Sequence, residues 1–284
     1  MDSYLTVMPM SQELFLSPGE TYTGTITVAN PQSSTADLAY TASISPYGVS
    51  GTNYSVDFTT TTSHTELTDW LTLDHTHGTL APNDTTDITF TIQTPATAAP
   101  GGQYAAIKVA AEPTTQSTSG VAVNNVYEMT SIIYLNISGE IVREGSVIEQ
   151  SIPSFVIAPV ITSTATVTNT GTTHEDALVS FTVTNAFDGS TIYPDTNSSQ
   201  GINEIIMPDT TRELSYDLVN MPAIGLVRVN QTIYYGGETY TIDQTTLIYP
   251  IWFMVLLVAC VLSVATLVFT RIRRARRRKY ISTV

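Results

Sequence analysis

The chain has 284 residues, with 25 acidic and 11 basic side chains and a formal net charge of −14. The charge is divided: before Ile251 stand four basic residues (Lys108, Arg143, Arg212, Arg228) against all 25 acidic ones, a net of −21, and after it stand seven basic residues and no acidic one. A segment so acidic repels phosphate, which excludes nucleic-acid binding by the first 250 residues, and the asymmetry points to a membrane at the C-terminal end.

The opening stretch, Met1–Glu20, has no basic start, no continuous apolar region and no small-residue cleavage site, so it does not read as a secretory leader. The expectation is that a leader stands upstream or has been removed. From Thr21 onward, alternation at period two recurs: "TYTGTITVAN" (Thr21–Asn30), "TTDITFTIQT" (Thr85–Thr94), "STATVTNT" (Ser163–Thr170), "LVSFTVTN" (Leu178–Asn185) and "ETYTIDQTTLI" (Glu238–Ile248). In the second of these Ile88, Phe90 and Ile92 fall on one face and Thr89 and Thr91 on the other, the pattern of a half-buried strand. Turn residues punctuate the runs at Ser17-Pro18-Gly19, Asn30-Pro31, Pro82-Asn83-Asp84, Pro100-Gly101-Gly102 and Gly236-Gly237. No amphipathic helix is predicted before residue 249. The fold class is therefore mainly β: two Ig-like β-sandwich domains in tandem, over 1–139 and 147–248, joined by a linker at 140–146. The last strand of the first sandwich is predicted over Tyr127–Ser138.

The C-terminal region reads differently. Ile251–Phe269 holds no charge, and nineteen residues at the helical rise span roughly 28 Å, the thickness of a bilayer core. A transmembrane helix is predicted over 249–270, anchored by Trp252, Phe253, Leu256, Leu257, Val261, Leu267 and Phe269. Arg271, Arg273, Arg274, Arg276, Arg277, Arg278 and Lys279 follow at once, and positive residues stay on the cytoplasmic side. Tyr249 and Trp252 suit the opposite headgroup region. The expectation is a single-pass cell-membrane protein with residues 1–248 outside and a basic tail, 271–284, inside.

Catalytic patterns are missing from the sequence. His75 and His77 lie in "LDHTHGTL", where a turn is expected, and read as solvated turn histidines. "DTNSSQG" (Asp195–Gly201) lacks the glycine and the final glutamate of a calcium loop. There is no nucleophile elbow and no phosphate-cradling loop, and the one cysteine, Cys260, lies in the apolar run. The reading is a binding protein, not an enzyme, with no metal and no cofactor. A cysteine-free exterior fits a bacterial or archaeal surface. Recognition is expected at loops clustered at the membrane-distal end of the first sandwich. These are Asn30–Asp37, with Asn30, Gln32, Ser33 and Asp37, and Glu112–Asn125, with Thr114, Gln116, Ser119 and Asn124.

Two stretches carry a resemblance. "LSPGETYTGTITVANP" (Leu16–Pro31) is followed by "DWLTLDHTHGTLAPNDTTDITFTIQTPATAAPGGQYAAIKV" (Asp69–Val109). An early Pro-Gly-Glu turn paired with a late Pro-Gly-Gly turn before a strand resembles the N-terminal domain of the WxL-interacting surface proteins of Gram-positive and related bacteria. The order of two Ig-like domains, one membrane helix and a short basic tail also resembles that family. The resemblance implies adhesion to a cell-wall component such as peptidoglycan, or to another surface protein. The alternative is a structural stalk or scaffold subunit of a membrane-anchored complex, without a soluble ligand.

Overall fold

The computed structural model describes residues 5–31, 36–114, 126–193 and 201–281. The chain forms two compact units. The first comprises Met1–Ser146 together with the segments Val167–Ala177 and Ile205–Glu213; the second comprises Val147–Thr166, Leu178–Glu204 and Leu214–Val284.

The elements up to residue 137 are β1 (Thr6–Met8), β2 (Ser11–Leu16), β3 (Thr21–Ala29), β4 (Leu38–Pro46), β5 (Gly48–Ser50), β6 (Ser55–Asp57), α1 (Leu67–Trp70), β7 (Leu71–Leu73), β8 (His77–Leu80), β9 (Thr85–Gln93), β10 (Gly101–Pro113) and β11 (Tyr127–Ile137). They build a four-stranded sheet, β1-β3-β9-β7, and a five-stranded sheet, β2-β11-β10-β4-β8. The first strand switches sheets: β1 pairs antiparallel with β3, and β2 runs parallel to β11. This is the strand arrangement of an immunoglobulin-like sandwich. The predicted last strand lies where the sequence placed it. The short α1 was not predicted, because four residues are too few to show a helical period.

One core joins the two sheets. Ile26 and Val28 of β3 and Ile88, Phe90 and Ile92 of β9 meet Ala105, Ile107 and Val109 of β10 and Ile133, Leu135 and Ile137 of β11. The threonines between them point outward. The Phe90 ring lies over Gly24, where a Cβ would stand 2.4 Å from it, so the glycine makes room for the largest side chain on that face.

The remaining elements are β12 (Gly145–Ser151), β13 (Phe155–Val156), β14 (Ile161–Asn169), β15 (Glu175–Asn185), β16 (Thr191–Tyr193), β17 (Ile202–Ile206), β18 (Thr210–Leu218), β19 (Gly225–Tyr235), β20 (Glu238–Ile248) and α2 (Ile251–Ile281). The order β12-β14-β18 on one sheet and β13-β20-β19-β15-β16 on the other repeats the plan of the first eleven strands, with β13 again running parallel to its neighbour. The core of the second unit gathers Ile161, Ala165, Val179, Phe181, Val183, Leu214, Val227, Val229 and Ile233.

A local device also repeats. Asn30, at the end of β3, is buried, and its Nδ2 donates to the carbonyls of Ala36 and Leu80 at 3.0 and 2.9 Å. Asn169, at the end of β14, is likewise buried, and its Nδ2 donates to Thr173 and Ile206, each at 2.9 Å. Each lower acceptor precedes a Pro-Asn or Pro-Asp turn whose second residue is left-handed: Asn83 (φ 68) and Asp209 (φ 57). Asparagine and aspartate tolerate that conformation better than other residues with a Cβ.

Phe90 is fully buried, so Phe90→Ala should cost about 3–5 kcal/mol of stability through lost transfer energy and a residual cavity. Trp70 packs against the same core and reports on it. The measurement is the urea midpoint followed by tryptophan fluorescence, and an unchanged midpoint would contradict the assignment of this core.

Candidate functional site

At their described edges the two predicted recognition loops of the first unit are joined. The Thr114 N–H donates to the Asp37 carbonyl at 2.9 Å, and the Thr114 hydroxyl lies 3.4 Å from the same oxygen. The β10–β11 connection begins at the end of the sheet opposite the Gly101↔Ile137 pair. Among the candidate residues, Asn30 is a buried staple and not an exposed contact, because its amide satisfies two carbonyls of the fold. Asp37 and Thr114 hold each other. Gln32, Ser33, Gln116, Ser119 and Asn124 lie outside the described residues, as does most of Asp195–Gly201. His75 sits in the turn after β7, with Nε2 3.0 Å from the Tyr40 hydroxyl and Nδ1 2.8 Å from Asp74. His77 opens β8 opposite Thr41 and is exposed.

At the other end of the same sheet the Pro100-Gly101-Gly102 turn has a definite task. Gly101 has φ +133, and a Cβ there would stand 2.5 Å from the Thr172 carbonyl; one on Gly102 would stand 2.0 Å from the Tyr104 hydroxyl. The two glycines let the segment Val167–Ala177, part of this unit, close on β10, and the Gly102 N–H donates to Thr172 O at 2.8 Å. Tyr104, almost wholly buried, receives the His174 backbone N–H at 2.8 Å and lies 3.2 Å from His174 Nδ1. Burial pushes the Tyr104 phenol well above its ordinary range, so it stays protonated. His174 Nε2 stands 3.5 Å from Glu13. Desolvation lowers the His174 pKa, with Glu13 opposing it in part.

Beside this lies a recess of about 320 Å³, all of whose lining belongs to the first unit. Tyr47, Tyr104 and Met207 supply apolar surface, backed by the edge-on ring contacts Tyr47–Tyr134 and Tyr104–Tyr134. His64 and Asp209 stand at its rim. His64 Nδ1 donates to Gly102 O at 3.0 Å, and Nε2 lies 3.2 Å from the Asp209 carboxylate, which is 71% exposed. The Tyr54 hydroxyl bonds to the Thr210 hydroxyl and receives the Met207 N–H, and the Arg212 guanidinium stacks on the Tyr54 ring at 4.6 Å. An apolar floor with an acidic rim suits a ring or aliphatic group that carries a hydrogen-bond donor. Nothing in the sequence signalled this recess, whose walls come from three separate stretches of the chain, around Tyr47–His64, Tyr104 and Met207–Thr210.

The C-terminal helix needs a separate description. Ile251–Arg273 is long and apolar enough to cross a membrane, and none of its most apolar eighteen-residue stretch is buried. Trp252, Leu256, Leu257, Val261, Leu267 and Phe269 are exposed, and Phe253 is half-buried. The hydroxyls of Ser263, Thr266 and Thr270 turn back onto the helix carbonyls at 2.7–2.9 Å, so none asks for water. The helix does not stop at Thr270. It carries Arg271, Arg273, Arg274, Arg276, Arg277, Arg278 and Lys279 on to Ile281, because no glycine or proline interrupts it and arginine and lysine are good helix formers.

The state of His174 yields a pH prediction. Its folded pKa is below the unfolded value of about 6.5, so the unfolded chain takes up the proton first. Stability is therefore fully present above about pH 6.5 and is lost as pH falls through the depressed folded value. In melts followed by Trp70 fluorescence, His174→Gln should flatten the decline below about pH 6.5; an equal slope in both proteins would refute the assignment.

No protein-family model matches the sequence, and no curated protein does. Among solved structures the chain is similar to the CupB2 chaperone of Pseudomonas aeruginosa, at 12% identity over 85% of this chain and 100% of that one, with a TM-score of 0.42. It is also similar to the E. coli chaperone DraB, at 13% identity over 86% and 98%, with a TM-score of 0.38. PapD-like domain 7 of human CEP192 matches 48% of this chain and 87% of its own length at 15% identity, with a TM-score of 0.33. These likenesses are weak, and the immunoglobulin-like description stands on the strand order and cores given above.

Proposed function

We propose that the chain is a single-pass, membrane-anchored surface protein whose immunoglobulin-like sandwiches bind a cell-wall component, such as peptidoglycan, or another surface protein, as the resemblance to WxL-interacting proteins implies. The observation that carries the reading is the uncovered apolar helix, Ile251–Arg273, which has acidic β-structure on one side and only basic charge on the other. An apolar surface of that length has no partner among the described residues, and a bilayer is the solvent that fits it. The positive residues support a reading with the tail in the cytoplasm and the strands outside. The rings of Tyr249, Trp252 and Phe253 pack edge-to-face at the helix start, where headgroups favour aromatic side chains. The work assigned to the exterior is binding, not catalysis.

The scaffold reading has one observation in its favour. At the described edges of the tip, the Asn30 amide N–H groups and the Asp37–Thr114 backbone pair are spent on the fold itself. Under that reading, partners would contact sheet faces or the recess beside Tyr104.

Protease added to intact cells should digest residues 1–248 and leave the basic tail intact. Digestion of the tail with the β-structure protected would overturn the orientation. The binding site is tested by shortening residues 115–125 to a tight turn and comparing recovery of cell-wall and surface partners by the purified protein. Loss of binding with an unchanged melting curve supports recognition at the tip. Unchanged binding favours the scaffold, and Asp209→Ala then asks whether the recess takes part.

A further inference from the structure

Among the described residues, the end of the second unit from which α2 departs is apolar. Strand register locates it. Gly225 pairs with Ile248, Leu226 with Leu247, and Val156 of β13 with Ile248, while Asn185 of β15 pairs with Val227. The loops that follow β13, β15 and β18 therefore all project beyond Ile248. Their sequences are Ile157-Ala158-Pro159-Val160, Ala186-Phe187-Asp188-Gly189-Ser190 and Val219-Asn220-Met221-Pro222-Ala223-Ile224. Phe187 is 82% exposed, and Ile157, Val219, Ile224, Phe155 and Leu247 are exposed as well. The β19–β20 turn at the opposite end is Gly236-Gly237, followed by Glu238.

This end is fixed close to the helix. Only Tyr249 and Pro250 separate β20 from α2, the Tyr249 N–H donates to Val156 O, and the Phe253 N–H donates to Pro250 O. Two residues reach no more than about 7 Å. The Phe187 turn is also held, since its N–H bonds to Asn185 Oδ1 and the Ala186 N–H bonds to Leu226 O. The acidic groups there are engaged: Asp188 accepts from the Ser190 N–H and hydroxyl, and Asp217 accepts from the Thr162 hydroxyl.

We propose that these three loops form an apolar foot that inserts into the headgroup region of the bilayer crossed by α2, with Phe187 at its tip. The proposal rests on α2 spanning the membrane. The occupant is lipid because the membrane surface is the one apolar phase within reach of so short a connection, and shallow burial of about 5–10 Å is what such side chains take at an interface. The foot would seat the second unit directly on the bilayer instead of leaving it to swing on a tether.

The test uses the full chain in phosphatidylcholine vesicles, with an environment-sensitive fluorophore on one cysteine at a time. The positions are native Cys260, and Phe187→Cys, Ile224→Cys or Thr239→Cys in a Cys260→Ser background. Thr239 is exposed and lies nine residues up β20 from Ile248, about 30 Å away. Nitroxide lipids labelled at shallow depth should quench positions 187 and 224 at least threefold more than position 239, and deep-labelled lipids should quench Cys260. If 187 and 224 behave like 239 while Cys260 is quenched, the foot is overturned and the anchor stands. A blue shift at 187 without lipid quenching means that protein, such as a second copy, covers the end, which also overturns the proposal. An unquenched Cys260 refutes the anchor and the foot with it.

Discussion

The first unit depends on β10 being covered on both faces. Gly101 through Ile107 are all buried. One face joins the core between the sheets through Ala105 and Ile107, and the other carries Tyr104 and Ala106 against Tyr47 and Met207. A strand so placed can carry little bulk on its own account. The sequence meets that demand with Gly101, Gly102, Ala105 and Ala106, which leave space for Tyr104 on the face toward Tyr47 and Met207. Filling either glycine would push on the Thr172 carbonyl or the Tyr104 hydroxyl, and closely packed interiors absorb such insertions poorly. The Tyr104–His174 contact, the recess and the seating of Val167–Ala177 all follow from that clearance.

Much of this was legible in the sequence, for physical reasons. The alternation of Ile88, Phe90 and Ile92 with threonine is visible because the two faces of β9 meet different surroundings. β10 alternates less clearly because both its faces are dry. The apolar helix was legible because nineteen residues run without a charge, and its continuation to Ile281 was missed because a change from apolar to basic was read as an end of helix. Charge decides where a helix meets water; only glycine, proline or a cap decides where it stops.

The paired staples were present in the sequence and were not recognised. "VAN" before "LAPND" and "VTN" before "IMPDT" place an asparagine at the end of β3 and of β14, with its second acceptor just ahead of a left-handed turn. Read singly, each asparagine looks like a polar loop residue, which is why Asn30 was grouped with recognition candidates. Its burial depends on Leu80, fifty positions away, and a local pattern holds no trace of such a partner. The same limit hid the recess, which combines Tyr47, Tyr104 and Asp209. Side chains that meet across a sandwich show no spacing rule along the chain.

The handover from β20 to α2 has a mechanical consequence. A pull on the helix along the strand enters the second unit through β20. That strand is zipped to β19 over eleven residue pairs and flanked on its other edge by β13. Force along the strand loads those hydrogen bonds together, in shear, instead of peeling them one at a time from a free end. With only two residues between strand and helix there is almost no slack to take up. The second unit is thus built to resist a pull on α2 along β20.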